Sequence, residues 1–278
     1  MGNEYDFVFQ SDSDLVKHAY NTNNNFIIEY DESVQNDLCV LYFSSNNIYG
    51  QNTEASFKNN IISNNKFEWY GTRILNARKH IFLRDLIKQW YLTGISSIYN
   101  SPQLLYQFLK TETEGYTVTT LGSSSGGFAA VLYGSLLNAD KVLTFNGQFE
   151  VFSLLETSNP SINPILFRNK NKSELTRYYD VRKFITSPDR IFYFYSTKSA
   201  WDKEQFESIK MKKINYTGFI TSHHGIPFLK CNLPKILSLE KKDLLKMNKK
   251  SYHPLLFSIK MVGVFKTIKG LYNQVKIN

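Results

Sequence analysis

Cysteine is scarce in this sequence, two residues in 278, and that scarcity excludes two classes of protein. Cys39 and Cys231 cannot supply a disulfide framework, and no histidine stands at metal spacing beside them. No metal is expected, and both cysteines read as reduced core or strand residues of a cytoplasmic protein. Long hydrophobic runs are missing too: nothing approaches the roughly 18 apolar residues of a membrane span. The opening "MGNEYDFVFQSDSD" is acidic, lacks an apolar centre and carries Asp6 where a myristoylation signal needs serine or threonine. It reads neither as a secretory leader nor as a lipid anchor. There is no internal repeat.

Acidic residues are absent from one place in particular. Residues 241–278 hold nine lysines against Asp243 alone, so +8 of the chain's net +9 lies in that tail and residues 1–240 are nearly neutral. Any anionic partner is felt at the tail. Nucleic acid is not expected, because no recognised motif accompanies the lysines.

What the sequence has in quantity is rings, 21 Phe and 18 Tyr. A chain of this length and apolar content buries a substantial core and leaves little scope for disorder. Short apolar runs recur between turn residues: "NFIIEY", "LCVLYFS", "HIFLRD", "TVTTLG", "KVLTFN", "RIFYFYS" and "INYTGFI". Between several of them lie helix-length patterns, "LRDLIKQWYLTG", "SPQLLYQFLKTE", "GGFAAVLYGSLL" and "WDKEQFESIKMKK". Near-continuous apolar strands alternating with helices predict an α/β fold with a mostly parallel sheet and helices on both faces. Asn-rich pieces such as "NTNNN" and "SSNNIYGQN" read as loops.

The stretch "TVTTLGSSSGGFAAVLYG" (117–134) carries G-x-S-x-G between a strand and a helix. That setting is a nucleophile elbow, in which the serine sits on a strained turn above the sheet edge. Glycines two residues before and after it allow strand and helix to approach closely. The serine in register is Ser124, and the helix N-terminus behind it favours developing negative charge. The competing reading is a Gly/Ser turn that cradles a phosphate, but neither G-x-G-x-x-G nor a G-K-[ST] ending is present.

A serine nucleophile needs a base, and the chain has five histidines. His18, His80 and His253 lie in a polar stretch, at a strand start and in the basic tail. "TSHHGIPF" places His223 and His224 directly after the last apolar run. His224 is preferred because Gly225 behind it permits a tight backbone; His223 is the alternative base. The acid should follow the preceding strand, where "RIFYFYSTKSAWDKEQ" offers Asp202, a residue that also fits a helix first turn. An oxyanion hole would draw on the Ser125 amide and on the loop "FSSNNIYG", where Ser45 is the candidate.

With "LGSSSGG", the Asp after the next-to-last strand and "HHGIPF", the chain resembles the α/β-hydrolase superfamily. Within it, the chain is similar to bacterial capsule and surface polysaccharide biosynthesis proteins, including capsule O-acetyltransferases of the serogroup A meningococcal kind. "HIFLRDLIKQWYLTGI" is also similar to a segment of that group, and the resemblance spans residues 25–235. It implies an α/β-hydrolase fold, acetyl-CoA as acyl donor and a hydroxyl of an anionic capsular or cell-surface polysaccharide as acceptor. Ser124 would carry the acetyl group, His224 would act as base and Asp202 would orient it. The same acyl-enzyme yields to water as readily in principle, so a serine esterase or deacetylase is the alternative. A non-catalytic accessory protein of glycan export or adhesin secretion is a third. Trp69, Tyr70, Trp90, Tyr91 and Trp201 are candidates to stack on sugar rings, or else core residues.

The chain divides by composition into a catalytic unit, residues 1–240, and a basic helical tail, residues 241–278. In that tail Phe257, Met261, Val264, Phe265, Ile268, Leu271 and Tyr272 fall on one helix face, with Lys266, Lys269 and Lys276 elsewhere. Peripheral contact with the inner face of an anionic membrane, or with an acidic polymer, is one reading. Docking on the body with solvated lysines is the other.

Overall fold

The computed structural model describes residues 6–22 and 24–276. Residues 1–5, on which the leader and anchor reading partly rests, and the side chain of Lys276 lie outside the described residues, as does Asn23 of "NTNNN".

The apolar runs form one eight-stranded sheet: β1 (Phe26–Tyr30), β2 (Leu38–Phe43), β3 (Lys79–Leu83), β4 (Thr117–Ser123), β5 (Lys141–Phe145), β6 (Ile191–Ser196), β7 (Asn215–Phe219) and β8 (Lys250–Tyr252). Their order across the sheet is β1-β3-β2-β4-β5-β6-β7-β8, and every pairing is parallel except β1 with β3. The mostly parallel sheet expected from the sequence is therefore present, with β1 as an antiparallel edge whose residues are only half-buried.

Side chains alternate between two cores, as strand geometry requires. Cys39, Leu41 and Phe43 of β2 face one side with the helices α1 (Pro102–Glu112), α2 (Ser125–Leu136) and α3 (Ala200–Ile209). Val40 and Tyr42 face the other with Phe228, Leu233 and Ile236 and with Phe257 of α4 (Pro254–Val262). Ser101 caps α1 by accepting from the Leu104 amide, and Pro102 follows it at the first turn.

Three expectations need correction. "LRDLIKQWYLTG" is not a helix. The buried Asp85 carboxylate accepts from the amides of Ile87, Lys88, Gln89 and Tyr91, at 2.8 to 3.2 Å. Those bonds hold Lys88, Trp90 and Tyr91 in left-handed backbone with φ of 55 to 60°. A side chain thus replaces the helical partners that the apolar spacing implied.

The boundary at residue 240 runs through the sheet. β8 pairs with β7, and Leu244, Met247 and Phe257 are buried in the second core. The single tail helix is also divided. Gly263 (φ +85°) ends α4, and α5 (Val264–Lys276) starts afresh, so Phe257 is buried while Phe265 faces out.

The N-terminal turn Phe9–Asp12 is clamped to the short helix Pro164–Arg168. The Arg168 guanidinium donates to both Asp12 oxygens at 2.6 and 2.8 Å, and the Val8 amide adds a third bond. The guanidinium bond holds the Asp12 carboxyl down at about 2. A depressed carboxyl contributes stability above its unfolded value of 3.8 and loses it as pH falls toward 2. Asp12→Asn should therefore cost about 1–2 kcal/mol near neutral pH. In denaturant titrations this gap from the parent should shrink steadily below pH 4; a gap independent of pH would refute the ion-pair account.

Candidate active site

The site lies at the carboxyl ends of the central strands, where an open α/β sheet offers its crevice. β4 delivers Ser124 at the turn into α2. A Cβ on Gly122 would lie 2.2 Å from the Gly126 carbonyl oxygen, and one on Gly126 would lie 2.3 Å from that of Phe43. Only glycine at both positions lets strand and helix meet. Ser124 between them takes φ 51°, ψ −124°, a strained backbone for a residue with a side chain.

Asp202 stands in the first turn of α3, just after β6. Ser199 caps that helix by accepting from the Asp202 amide. His224 follows β7, and Gly225 behind it has φ +107°, the left-handed freedom expected there. β7 is not the final strand, since β8 lies beyond it.

The three side chains meet. His224 Nδ1 lies 2.8 Å from Asp202 Oδ1, and His224 Nε2 lies 2.8 Å from Ser124 Oγ. With a carboxylate on the Nδ1 side, the ring carries its proton there and accepts the serine hydroxyl at Nε2. Asp202 is 1 % exposed and its Oδ2 is buried without a hydrogen-bond partner, so the imidazole is its main compensation. Trp201 stacks on the imidazole at 4.9 Å, covering one face of the ring. His223 points elsewhere: its ring makes neither of these contacts, and burial lowers its pKa.

The histidine loop is held by residues that the sequence reading passed over. Asn146, just past β5, donates through Nδ2 to the His223 carbonyl at 3.2 Å and to Ser196 Oγ at 2.9 Å. Its Oδ1 accepts from the Ser196 amide, and Ser196 Oγ donates to the same His223 carbonyl at 2.6 Å. Polar residues closing two apolar runs, "KVLTFN" and "RIFYFYS", were the available signal.

No family model matches the chain, and none of the curated proteins matches it in sequence. Among solved structures, a histidine-to-alanine mutant of the capsule O-acetyltransferase of Neisseria meningitidis serogroup A, in complex with CoA, is similar. Its TM-score is 0.50 at 14 % identity, over 74 % of this chain and 92 % of that one. The chain has an α/β-hydrolase-like fold. Also similar is an S-formylglutathione hydrolase from Agrobacterium tumefaciens, with TM-score 0.45 at 11 % identity over 80 % of this chain and 89 % of that one. A lipase-esterase related protein from Clostridium acetobutylicum has TM-score 0.42 at 13 % identity, over 81 % of this chain and all of its own length.

Within this α/β-hydrolase-like fold the expected oxyanion donors separate. Ser125 opens α2, where first-turn amides have no intrahelical partner. Its hydroxyl accepts from the Asn46 amide at 2.8 Å, tying the elbow to the loop after β2. The Ser45 amide is not free. It donates to Glu68 Oε2 at 2.7 Å while the Ser45 hydroxyl donates to Oε1 at 2.9 Å. Ser45 therefore fails as a second donor for as long as Glu68 holds it. Burial pushes the Glu68 pKa up, opposed by these two bonds.

Ser124 and His224 open onto a cleft of about 1100 Å³. Trp69, Trp90 and Trp201 line it, with Lys66 and Lys230 as cations and Glu68 and Glu204 as carboxylates. Tyr91 does not: it is fully buried and donates to the Ser44 and Leu83 carbonyls. Tyr70 is exposed and donates to Glu29 at 2.6 Å.

Asn146→Ala should lower stability by about 1–3 kcal/mol, because it leaves the buried Ser196 amide without its acceptor. Equilibrium unfolding measures this, and a change under a few tenths of a kcal/mol would contradict the clamp.

Proposed function

We propose that this chain is a serine acyltransferase that moves an acetyl group from acetyl-CoA to a hydroxyl of a capsular or cell-surface polysaccharide. The observation that carries the reading is the Asp202–His224–Ser124 chain of two 2.8 Å contacts at the floor of a large cleft.

In the first half-reaction, Ser124 Oγ attacks the thioester carbonyl as His224 Nε2 takes the hydroxyl proton. The tetrahedral oxyanion is met by the Ser125 amide and the N-terminal end of α2. Collapse breaks the carbon–sulfur bond, and the imidazolium returns its proton to the leaving thiolate. In the second half-reaction, His224 takes the proton of an acceptor hydroxyl, whose oxygen attacks the acetyl-serine. Collapse then expels Ser124 Oγ, which regains the proton. Asp202 holds the ring in its productive tautomer and balances the imidazolium at both stages.

Cleft size and lining support transfer over simple hydrolysis. The volume exceeds what one small ester fills. Lys66 and Lys230 suit the phosphates of CoA or an anionic glycan, and tryptophans suit sugar faces. The similar capsule O-acetyltransferase in complex with CoA guides the choice of donor. Such a donor places the reaction in the cytoplasm.

The test is release of free coenzyme A from acetyl-CoA, with and without a panel of acidic capsular polymers. Ser124→Ala should abolish release, and Asp202→Asn should lower it about ten-thousandfold by favouring the wrong tautomer. Release stimulated by one polymer would identify the acceptor. Serine-dependent cleavage of simple acetyl esters without coenzyme A release would replace transfer with hydrolysis. Activity that survives Ser124→Ala would remove the serine mechanism altogether.

A further inference from the structure

The two C-terminal helices dock on the body mainly through one large ring and a set of small and polar side chains. In α4, Phe257 enters a ring cluster with Phe219, Phe228 and Tyr252, and buried Ser258 accepts from Asn232 Nδ2 at 2.6 Å. In α5, Thr267 is 1 % exposed. A Cβ on Gly270 would lie 2.6 Å from Cys231 Sγ, so the helix presses its glycine onto the turn Lys230–Asn232. The Lys230 amide donates to Gln274 Oε1 at 3.4 Å. Thr267, Gly270 and Gln274 share one side of the helix, at spacings of three and four residues.

The apolar residues of the first half of α5 do not share that side. Val264, Phe265 and Ile268 are 57, 82 and 62 % exposed and lie roughly 130° around the helix from the docked stripe. Lys266 and Lys269 fill the arc beyond them. Leu256 of α4 is also exposed. A surface helix of a globular protein normally buries its apolar stripe against the core. Here that arrangement is reversed, and a large apolar patch faces out beside lysines.

We propose that the outward face of α4 and α5 lies on an anionic lipid surface. Charge selects this occupant over a second copy of the chain. The two helices carry Lys260, Lys266, Lys269 and Lys276 and no acidic residue, so across a two-fold interface +4 would meet another +4, whereas an anionic leaflet attracts each of these lysines. The apolar stripe enters the headgroup boundary while the lysine stems reach the phosphates. No helix among the described residues is long and apolar enough to cross a membrane, which fits a segment that lies on the surface. The docked side of α5 rests on Lys230, and Lys230 also lines the cleft. Seating the helices therefore holds one wall of the cleft beside the bilayer.

The experiment is co-sedimentation of the full chain with vesicles of phosphatidylcholine alone and of phosphatidylcholine mixed with phosphatidylglycerol. Two variants run beside it: Phe265→Glu with Ile268→Glu, and Lys266→Gln with Lys269→Gln. The expected result is binding to the anionic vesicles that weakens as salt rises, with little binding to phosphatidylcholine. The glutamate pair should weaken it at least about tenfold without changing the melting temperature, since both sites are exposed. The glutamine pair should weaken it with the apolar face intact. Absence of binding to anionic vesicles, equal binding by parent and both variants, or a homodimer that the glutamate pair dissociates would each overturn the proposal.

Discussion

The close approach of main chain to main chain at the elbow is the constraint on which the site depends. Gly122 and Gly126 leave no room for a Cβ, so β4, the end of β2 and the start of α2 touch through backbone. A serine held between them cannot relax into ordinary backbone, and its φ of 51° is the result. Strain there persists because the surrounding sheet and a helix buried from Ser125 to Gly134 over-determine it. The same approach puts the N-terminus of α2 beside the hydroxyl, so position and electrostatics come from one contact.

Two buried aspartates divide the remaining work. Asp85 spends its oxygens on four amides, and burial nevertheless raises its carboxyl to about 6. It is a structural acceptor that builds a left-handed loop carrying Trp90 to the cleft wall. Asp202 is equally buried, but it meets an imidazole and leaves one oxygen without a partner. The carboxylate left with a free oxygen is the one that orients the His224 ring through Nδ1. Asn146 and Ser196 complete the arrangement by fixing the loop that carries that histidine.

The C-terminal segment joins body and surface. β8 closes the sheet next to the strand that precedes His224, and α4 fills the core beneath it. Past Gly263, α5 turns Val264, Phe265 and Ile268 away from the protein. Composition alone drew the boundary at residue 240, because lysine density rises there. Packing draws the change in character later, where the chain stops contributing rings to the core.

The sequence by itself determined the elements whose cause is local. Seven apolar runs became strands because their side chains alternate between two buried faces, and the G-x-S-x-G turn became an elbow because its glycines permit one geometry. It also determined the order Ser124, Asp202, His224 along the chain. Tertiary structure decided what depends on partners distant in sequence. The Ser45 amide lost its freedom to Glu68, 23 residues away. β8, a three-residue strand of half-exposed "KSY", had no apolar signal to read and exists because β7 offers it a ladder. The reason is common to both: a hydrogen-bond donor takes the nearest acceptor in space, and sequence spacing records only the neighbours along the chain.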